Sequence, residues 1–65
     1  MLKNKLKFYR HKMEMNQTEF ATFLEIVPAA YHQYETQGRQ PSLIVAIQMA
    51  EKLRCDLLDI FYVEQ

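Results

Sequence analysis

The apolar positions along this chain recur mainly at steps of three and four residues, the spacing of one face of an α-helix. In the first segment these steps join Leu2, Leu6, Tyr9 and Met13. Strict alternation of apolar and polar residues, which would predict a β-strand, is almost absent. The pattern therefore predicts a first helix over residues 2–13, with a lysine-rich polar face.

The next two helices are predicted from their starts. Asn16 followed three residues later by Glu19 is a capping-box pattern, in which each side chain accepts a backbone N–H at the start of a helix. It predicts a second helix over residues 17–24. Pro28 is tolerated at a first helical position, because the N–H that it lacks would have no intrahelical partner there. It predicts a third helix over residues 28–36.

The last two helices follow the loop around Gly38. Ser42 is a candidate cap for a fourth helix over residues 42–53, and Asp56 begins a capping pattern for a fifth over residues 56–61. The expected architecture is an all-α domain of five short helices, with residues 1–65 forming a single domain.

Composition narrows the class of protein. The chain is 49% apolar and 25% charged, which is typical of a globular domain. No apolar run approaches the roughly 20 residues that span a bilayer. The lone Cys55 has no partner for an intramolecular disulfide, which suits a reducing compartment. We expect a cytoplasmic protein without membrane contact.

Residues with catalytic or metal-binding spacing are missing from the sequence. There is no Ser/His/Asp order, no Cys–His pair, no glycine-rich phosphate loop and no acidic metal cluster. A chain of 65 residues also has little room to enclose a large substrate. We therefore expect no enzymatic activity, no cofactor and no metal ion.

The charged residues are unevenly distributed. The formal net charge is zero, which is unusual for a protein that binds a polyanion. Residues 1–12 nevertheless carry five basic side chains and no acidic one. This polarity can orient a protein on nucleic acid, and it can equally be a solvated helix face.

Several segments, in order and at matching spacing, resemble the Cro- and Xre-type helix-turn-helix domains of lambda-repressor-like fold. The resembling segments are MNQTEFATFL in the second helix, the Tyr34-Glu35 pair that ends the third, GRQPS before the fourth, and IQMAEKLRCDLLDIF at the end. Together they span about residues 4–61. The resemblance implies a DNA-binding protein whose second helix crosses the phosphate backbone and whose third helix enters the major groove.

The resemblance also implies which residues contact DNA. Carried over position by position, the DNA-binding residues are Gln17, Pro28, Ala29, His32, Gln33, Arg39 and Gln40, with Val27 beside them. Gln33 can form two hydrogen bonds with adenine, and His32 can donate to a base or a phosphate. Ala29 and Val27 offer only apolar contact with a thymine methyl group.

A second implied feature is structural. In the resembling family an Arg of the first helix reaches the Glu that ends the third, and here these are Arg10 and Glu35. Such a pair would hold the reading helix against the rest of the domain. A direct phosphate contact by Arg10 is the alternative.

The chain departs from the family at its turns. Glu14, Glu25 and Arg54 stand where the family usually has glycine, because those turns favour a positive φ. Val27 replaces the usual Ser or Thr cap of the third helix. The loop glycine, Gly38, comes one position later than is common.

Outward apolar residues near the C-terminus form a candidate dimer patch, consisting of Ile44, Leu58, Tyr62 and Val63. We expect Leu43, Ile47 and Phe61 in the core and Phe23 facing outward. A homodimer would let the domain span two half-sites of DNA.

Two functions remain open. The first is a sequence-specific transcriptional regulator of repressor type that binds double-stranded DNA as a homodimer. The alternative is a protein-interaction module of the same fold: a co-repressor, an antirepressor or an antitoxin-like partner of a protein regulator. The residues at reading positions favour the first, whereas zero net charge and outward apolar residues favour the second.

Overall fold

The computed structural model describes residues 2–65, so residue 1 of the predicted domain lies outside the described residues. Its elements, in chain order, are β1 (Leu2–Asn4), α1 (Leu6–Lys12), α2 (Gln17–Phe23), α3 (Pro28–Glu35), α4 (Leu43–Leu53), α5 (Leu57–Ile60) and β2 (Phe61–Val63). The five helices confirm the all-α class, to which a small pairing of the two ends of the chain is added.

The helix predicted from residue 2 was wrong at its start. Residues 2–4 form β1, which pairs antiparallel with β2, and Lys3 lies opposite Tyr62. The fifth helix accordingly ends at Ile60, and Phe61 is extended. Three-residue strands are too short to display alternation, so helical spacing extended the predicted first helix over residues 2–4 and the predicted fifth helix to Phe61.

Asn4 explains why α1 begins where it does. Its side-chain oxygen accepts the backbone N–H of Leu6 at 3.1 Å, and its side-chain nitrogen donates to the backbone carbonyl of Tyr34 at 2.9 Å. The residue therefore satisfies a free N–H at the helix start and ties β1 to the end of α3.

Helices α2 and α4 begin directly after the residues that the sequence predicts as their caps. Asn16 accepts the backbone N–H of Glu19 at 2.8 Å, and Glu19 accepts that of Asn16 at 2.9 Å, so the capping box is complete. Ser42 caps α4 by accepting the N–H of Val45 at 3.2 Å. These contacts need only neighbouring residues, which is why the sequence predicts them.

The core lies between the inner faces of the helices and β2. Its largest fully buried side chains are Tyr31, Phe20, Leu6, Met49 and Ile60. The rings of Phe20 and Tyr31 meet edge to face, with centroids 5.4 Å apart, and this contact joins α2 to α3.

Three core expectations were wrong. Leu43 is 67% exposed and Ile47 is also exposed, whereas Phe23 is half-buried and stacks on Phe20. Leu43 lies on the same face of α4 as the buried Ala46 and Ala50 but in the first turn, where it extends past the edge of a small core. Phe61 is buried, as expected.

The turns adopt the strained conformation that their family positions imply. Glu14, Glu25 and Arg54 have φ values of 56°, 59° and 55°. A fourth residue, Gln37, has φ of 66°, while the following Gly38 does not have a positive φ. The glycine of this loop is therefore one residue after the position whose positive φ favours glycine.

We expect the double substitution Gln37→Gly with Gly38→Ala to stabilise the protein by about 1–2 kcal/mol. Gln37 would lose its left-handed strain and its buried, unpaired side-chain oxygen. An added Cβ at position 38 meets its nearest neighbour at 3.9 Å, and alanine there reduces the entropy of the unfolded chain. Urea denaturation followed by circular dichroism measures the change. Gly38→Ala alone should give the smaller part of this stabilisation. If the double substitution destabilised the protein, strain at Gln37 would be contradicted.

Candidate nucleic-acid interface

The outward face of α3 carries the predicted reading residues. Tyr31 and Tyr34 turn into the core, so Ala29, His32 and Gln33 face outward at spacings of three and four residues. Pro28 is exposed in the first turn of the same helix.

A shallow concavity of about 350 Å³ lies beside this face. It is lined by Val27, Ala29, Ala30, Gln33 and Arg39. The loop reaches it because the backbone N–H groups of Gly38 and Arg39 both donate to the carbonyl of Gln33, at 3.0 and 3.3 Å. The fold thus brings together predicted residues from both sides of the turn after α3.

The start of α3 adds a feature that side-chain reasoning missed. Val27 provides no side-chain cap, and Pro28 has no N–H. The backbone N–H groups of Ala29 and Ala30 lack intrahelical acceptors by their position, and both residues line the concavity. The bare sequence VPAA therefore presents backbone donors and the positive end of the helix dipole, without any charged side chain.

Arg10 and Glu35 form a bidentate ion pair. Arg10 Nε donates to Glu35 Oε2 and Arg10 Nη2 to Oε1, each at 2.9 Å. The two side chains are only 12% and 5% exposed. Arg10 Nη1 also donates to the carbonyl of Met15 at 3.1 Å. Because the guanidinium group is occupied on both sides, it serves the scaffold and is not free for a phosphate.

The surroundings of Glu35 keep it ionised. Burial is the largest single influence and opposes ionisation, but the hydrogen bonds from Arg10 and Gln17, the adjacent Tyr31 hydroxyl and the positive charge of Arg10 together outweigh it and hold the pKa of Glu35 at about 2. The buried Tyr31 hydroxyl lies beside the pair, and burial together with the Glu35 carboxylate raises the pKa of that hydroxyl. A negative charge is thus fixed at the end of α3 and neutralised by Arg10.

Gln17 continues this network toward the surface. Its Nε2 donates to Glu35 Oε1 at 3.2 Å, and its Oε1 lies 3.0 Å from Nδ1 of His32. A phosphate contact by the Gln17 side chain would cost one of these bonds. Its backbone N–H, at the first position of α2, lacks an intrahelical acceptor and is the better donor to a phosphate.

Gln40 lies apart from the other predicted contacts. Its Nε2 donates to the carbonyl of Leu2 in β1 at 3.3 Å, and the residue does not line the concavity beside α3. The loop therefore contributes Arg39 to this surface and directs Gln40 toward the terminal strands.

Two charged residues flank α3 along the chain, Glu25 before it and Arg39 after it. Glu25, in the turn between α2 and α3, forms an ion pair with Lys52. The hydrogen bond from Lys52 lowers the pKa of Glu25. Arg39 is exposed and forms no ion pair with any of residues 2–65. Among the described residues that line the concavity, Arg39 is the one with a charged side chain.

A separate apolar groove of about 330 Å³ lies where α4, α5 and the terminal strands meet. Three residues of the candidate dimer patch line it, namely Leu58, Tyr62 and Val63, and Leu43 joins them. Leu58 is 82% exposed. Ile44 is exposed on α4 next to Leu43 but does not line the groove.

A helix-turn-helix family model matches residues 6–60, which include all five helices. The chain belongs to the Cro-type helix-turn-helix family. It is a DNA-binding domain of a family whose members are generally transcription regulators. No curated protein matches the chain.

No helix within residues 2–65 is both long and apolar enough to cross a membrane, and the longest, α4, has 11 residues. Within the same residues, no cluster of three or more His, Cys, Asp or Glu side chains is arranged to hold a metal ion.

Proposed function

We propose that this protein is a sequence-specific transcriptional regulator of repressor type, which acts in the cytoplasm by occupying an operator with α3 in the major groove. The observation that carries the proposal is the surface formed by the outward face of α3, where Gln33 and the unpaired cation Arg39 line one concavity. In this family's fold that helix is the one that faces DNA.

Each residue of the surface has a chemical role in the proposal. Gln33 pairs with the N6 and N7 atoms of adenine, and Ala29 and Val27 pack against thymine methyl groups. Arg39 and the N–H groups at the starts of α2 and α3 bind phosphates. Since one bidentate contact discriminates by about 1–3 kcal/mol, a single copy would select DNA only modestly.

A homodimer supplies the remaining specificity in this proposal. The exposed apolar residues of α4, α5 and β2 surround one groove, and a second copy offers the same surface, as a two-fold interface requires. Two α3 helices would then contact half-sites about one turn of DNA apart.

The second candidate function is binding to a protein regulator through the same apolar groove, with little DNA affinity. Zero net charge and the high exposure of Leu58 favour it. Fold alone does not decide between the two, because binding sites vary on one scaffold.

In-vitro selection from a random duplex pool, followed by fluorescence anisotropy at two salt concentrations, distinguishes these functions. The proposal predicts a palindromic site that is bound at least about 1000-fold more tightly than scrambled DNA. Weak binding at both salt concentrations with no enriched sequence would contradict it and favour the protein partner.

Two substitutions should separate base reading from phosphate binding. Gln33→Ala should reduce affinity for the selected site by about 5- to 100-fold and change the preferred base, because it removes a base contact. Arg39→Ala should weaken selected and scrambled DNA alike and reduce the salt slope by about one. Anisotropy titrations of both duplexes measure these effects.

Arg54→Gly is the matched control for Arg39→Ala. It removes the same charge from an exposed position at the end of α4 and relieves a left-handed φ. If the two variants lose affinity equally, net charge explains the effect and Arg39 has no special position.

A further inference from the structure

The hydrogen bonds that lead from Glu35 to His32 have a definite direction. The ionised carboxylate of Glu35 can only accept, so the Gln17 atom that meets it must be the amide nitrogen, as observed at 3.2 Å. The amide oxygen of Gln17 is then the atom that faces Nδ1 of His32, at 3.0 Å. An amide oxygen can only accept, so Nδ1 must carry the proton.

This direction leaves the outer nitrogen of His32 without a proton. A neutral imidazole has one N–H, and here Nδ1 uses it, so Nε2 is a hydrogen-bond acceptor. His32 is exposed on the same face of α3 as Ala29 and Gln33. The charged groups behind it are Glu35 and Arg10, which neutralise each other and act on His32 through Gln17.

We propose that His32 reads the major groove as an acceptor, taking a hydrogen bond at Nε2 from the exocyclic amine of adenine or cytosine. This inference rests on the proposed function and names a specificity determinant within it. It also revises the expectation that neutral His32 donates to a base or a phosphate.

The consequence is a base preference that follows from the tautomer. The acceptor Nε2 favours adenine N6 or cytosine N4 over guanine N7 or O6, which are themselves acceptors. Gln17, which sequence analysis placed at the phosphate backbone, becomes the positioning residue that sets the tautomer.

Long-range ¹H–¹⁵N spectra of the DNA-free protein at pH 8 test the tautomer directly. We expect His32 in the Nδ1–H form, with His11, exposed on α1, as an internal reference in the same spectrum. Gln17→Leu should shift His32 toward a mixture of the two tautomers while His11 stays unchanged. The wild-type spectrum alone is decisive if that variant does not fold, and an Nε2–H form of His32 would overturn the inference.

Selection of duplexes at pH 8 with wild type and with His32→Ala tests the reading step. We expect one base position at which the wild type prefers adenine or cytosine over guanine by about 3- to 10-fold in affinity, and we expect His32→Ala to lose this preference. The same preference in His32→Ala, or a wild type that prefers guanine at every position His32→Ala alters, would overturn the assignment to His32. If no duplex is enriched, the proposed function has failed and base reading falls with it, whereas the spectrum still tests the tautomer.

Discussion

Arg10→Met should destabilise the protein by about 3–5 kcal/mol at pH 7, enough to unfold most of it at 25 °C. The substitution leaves the Glu35 carboxylate, 5% exposed, without its cation, and a buried charge stripped of its partner costs this much. A single core of this size contributes about the same amount of net stability. Urea or thermal denaturation followed by circular dichroism measures the loss.

A matched control separates the effect of leaving a buried charge unpaired from the effect of removing a positive charge. Lys52→Met breaks the exposed pair with Glu25, and we expect it to cost far less than Arg10→Met, because solvent screens exposed charges. Arg10→Met combined with Glu35→Leu should recover at least half of the loss, because an apolar pair no longer buries a charge. Equal costs for the two ion pairs would show that the buried pair does not hold α3 in place.

Arg10→Met should also reverse the way in which the free energy of unfolding depends on pH. The folded-state pKa of Glu35, about 2, lies below its ordinary value of 4.5, so its contribution is complete above about pH 4.5 and is lost as the pH falls toward about 2. This lowering corresponds to about 3 kcal/mol at neutral pH. Arg10→Met should instead gain stability on acidification, because protonation neutralises the unpaired carboxylate. Parallel curves for the two proteins would contradict this explanation.

Leu58→Glu should disrupt the proposed homodimer and reduce affinity for the selected site by about 100- to 10,000-fold. The second half-site binds as an intramolecular event only while the two copies are joined. Leu58 is 82% exposed and lies in the first turn of α5, where a carboxylate is favourable, so the fold of one copy should be unaffected. Sedimentation velocity and anisotropy measure the two effects.

Phe8→Glu is the control for this prediction. It adds the same charge at another exposed apolar residue, 60% exposed on α1 and outside the groove. We expect this variant to remain dimeric. A wild-type protein that sediments as a monomer at the concentrations that saturate the selected site would remove the basis for the dimer.

The sequence predicted the parts of the fold that depend on neighbouring residues. Asn16 and Glu19 cap α2 through contacts three residues apart, and Pro28 begins α3 by its own stereochemistry. Glu14 and Arg54 take positive φ values, as their places in the family pattern implied. In each case, the cause lies within one turn of the chain.

The features that the sequence did not predict depend on contacts between residues that are far apart along the chain. Strand β1 exists because the two ends of the chain meet, which three residues cannot signal. The exposure of Leu43 follows from the extent of the core, since its position on the helical wheel is an inward one. The link from Glu35 through Gln17 to His32 joins residues 18 and 15 positions apart, and no periodicity encodes it.

Chemical-shift mapping tests the central claim, that the outward face of α3 contacts DNA. ¹⁵N-labelled protein is titrated with the selected duplex and with its scrambled control. We predict that the largest changes in amide shift occur at Ala29, His32, Gln33 and Arg39 and depend on the selected sequence. Changes confined to the apolar groove around Leu58 and Tyr62, with α3 unaffected, would contradict the claim.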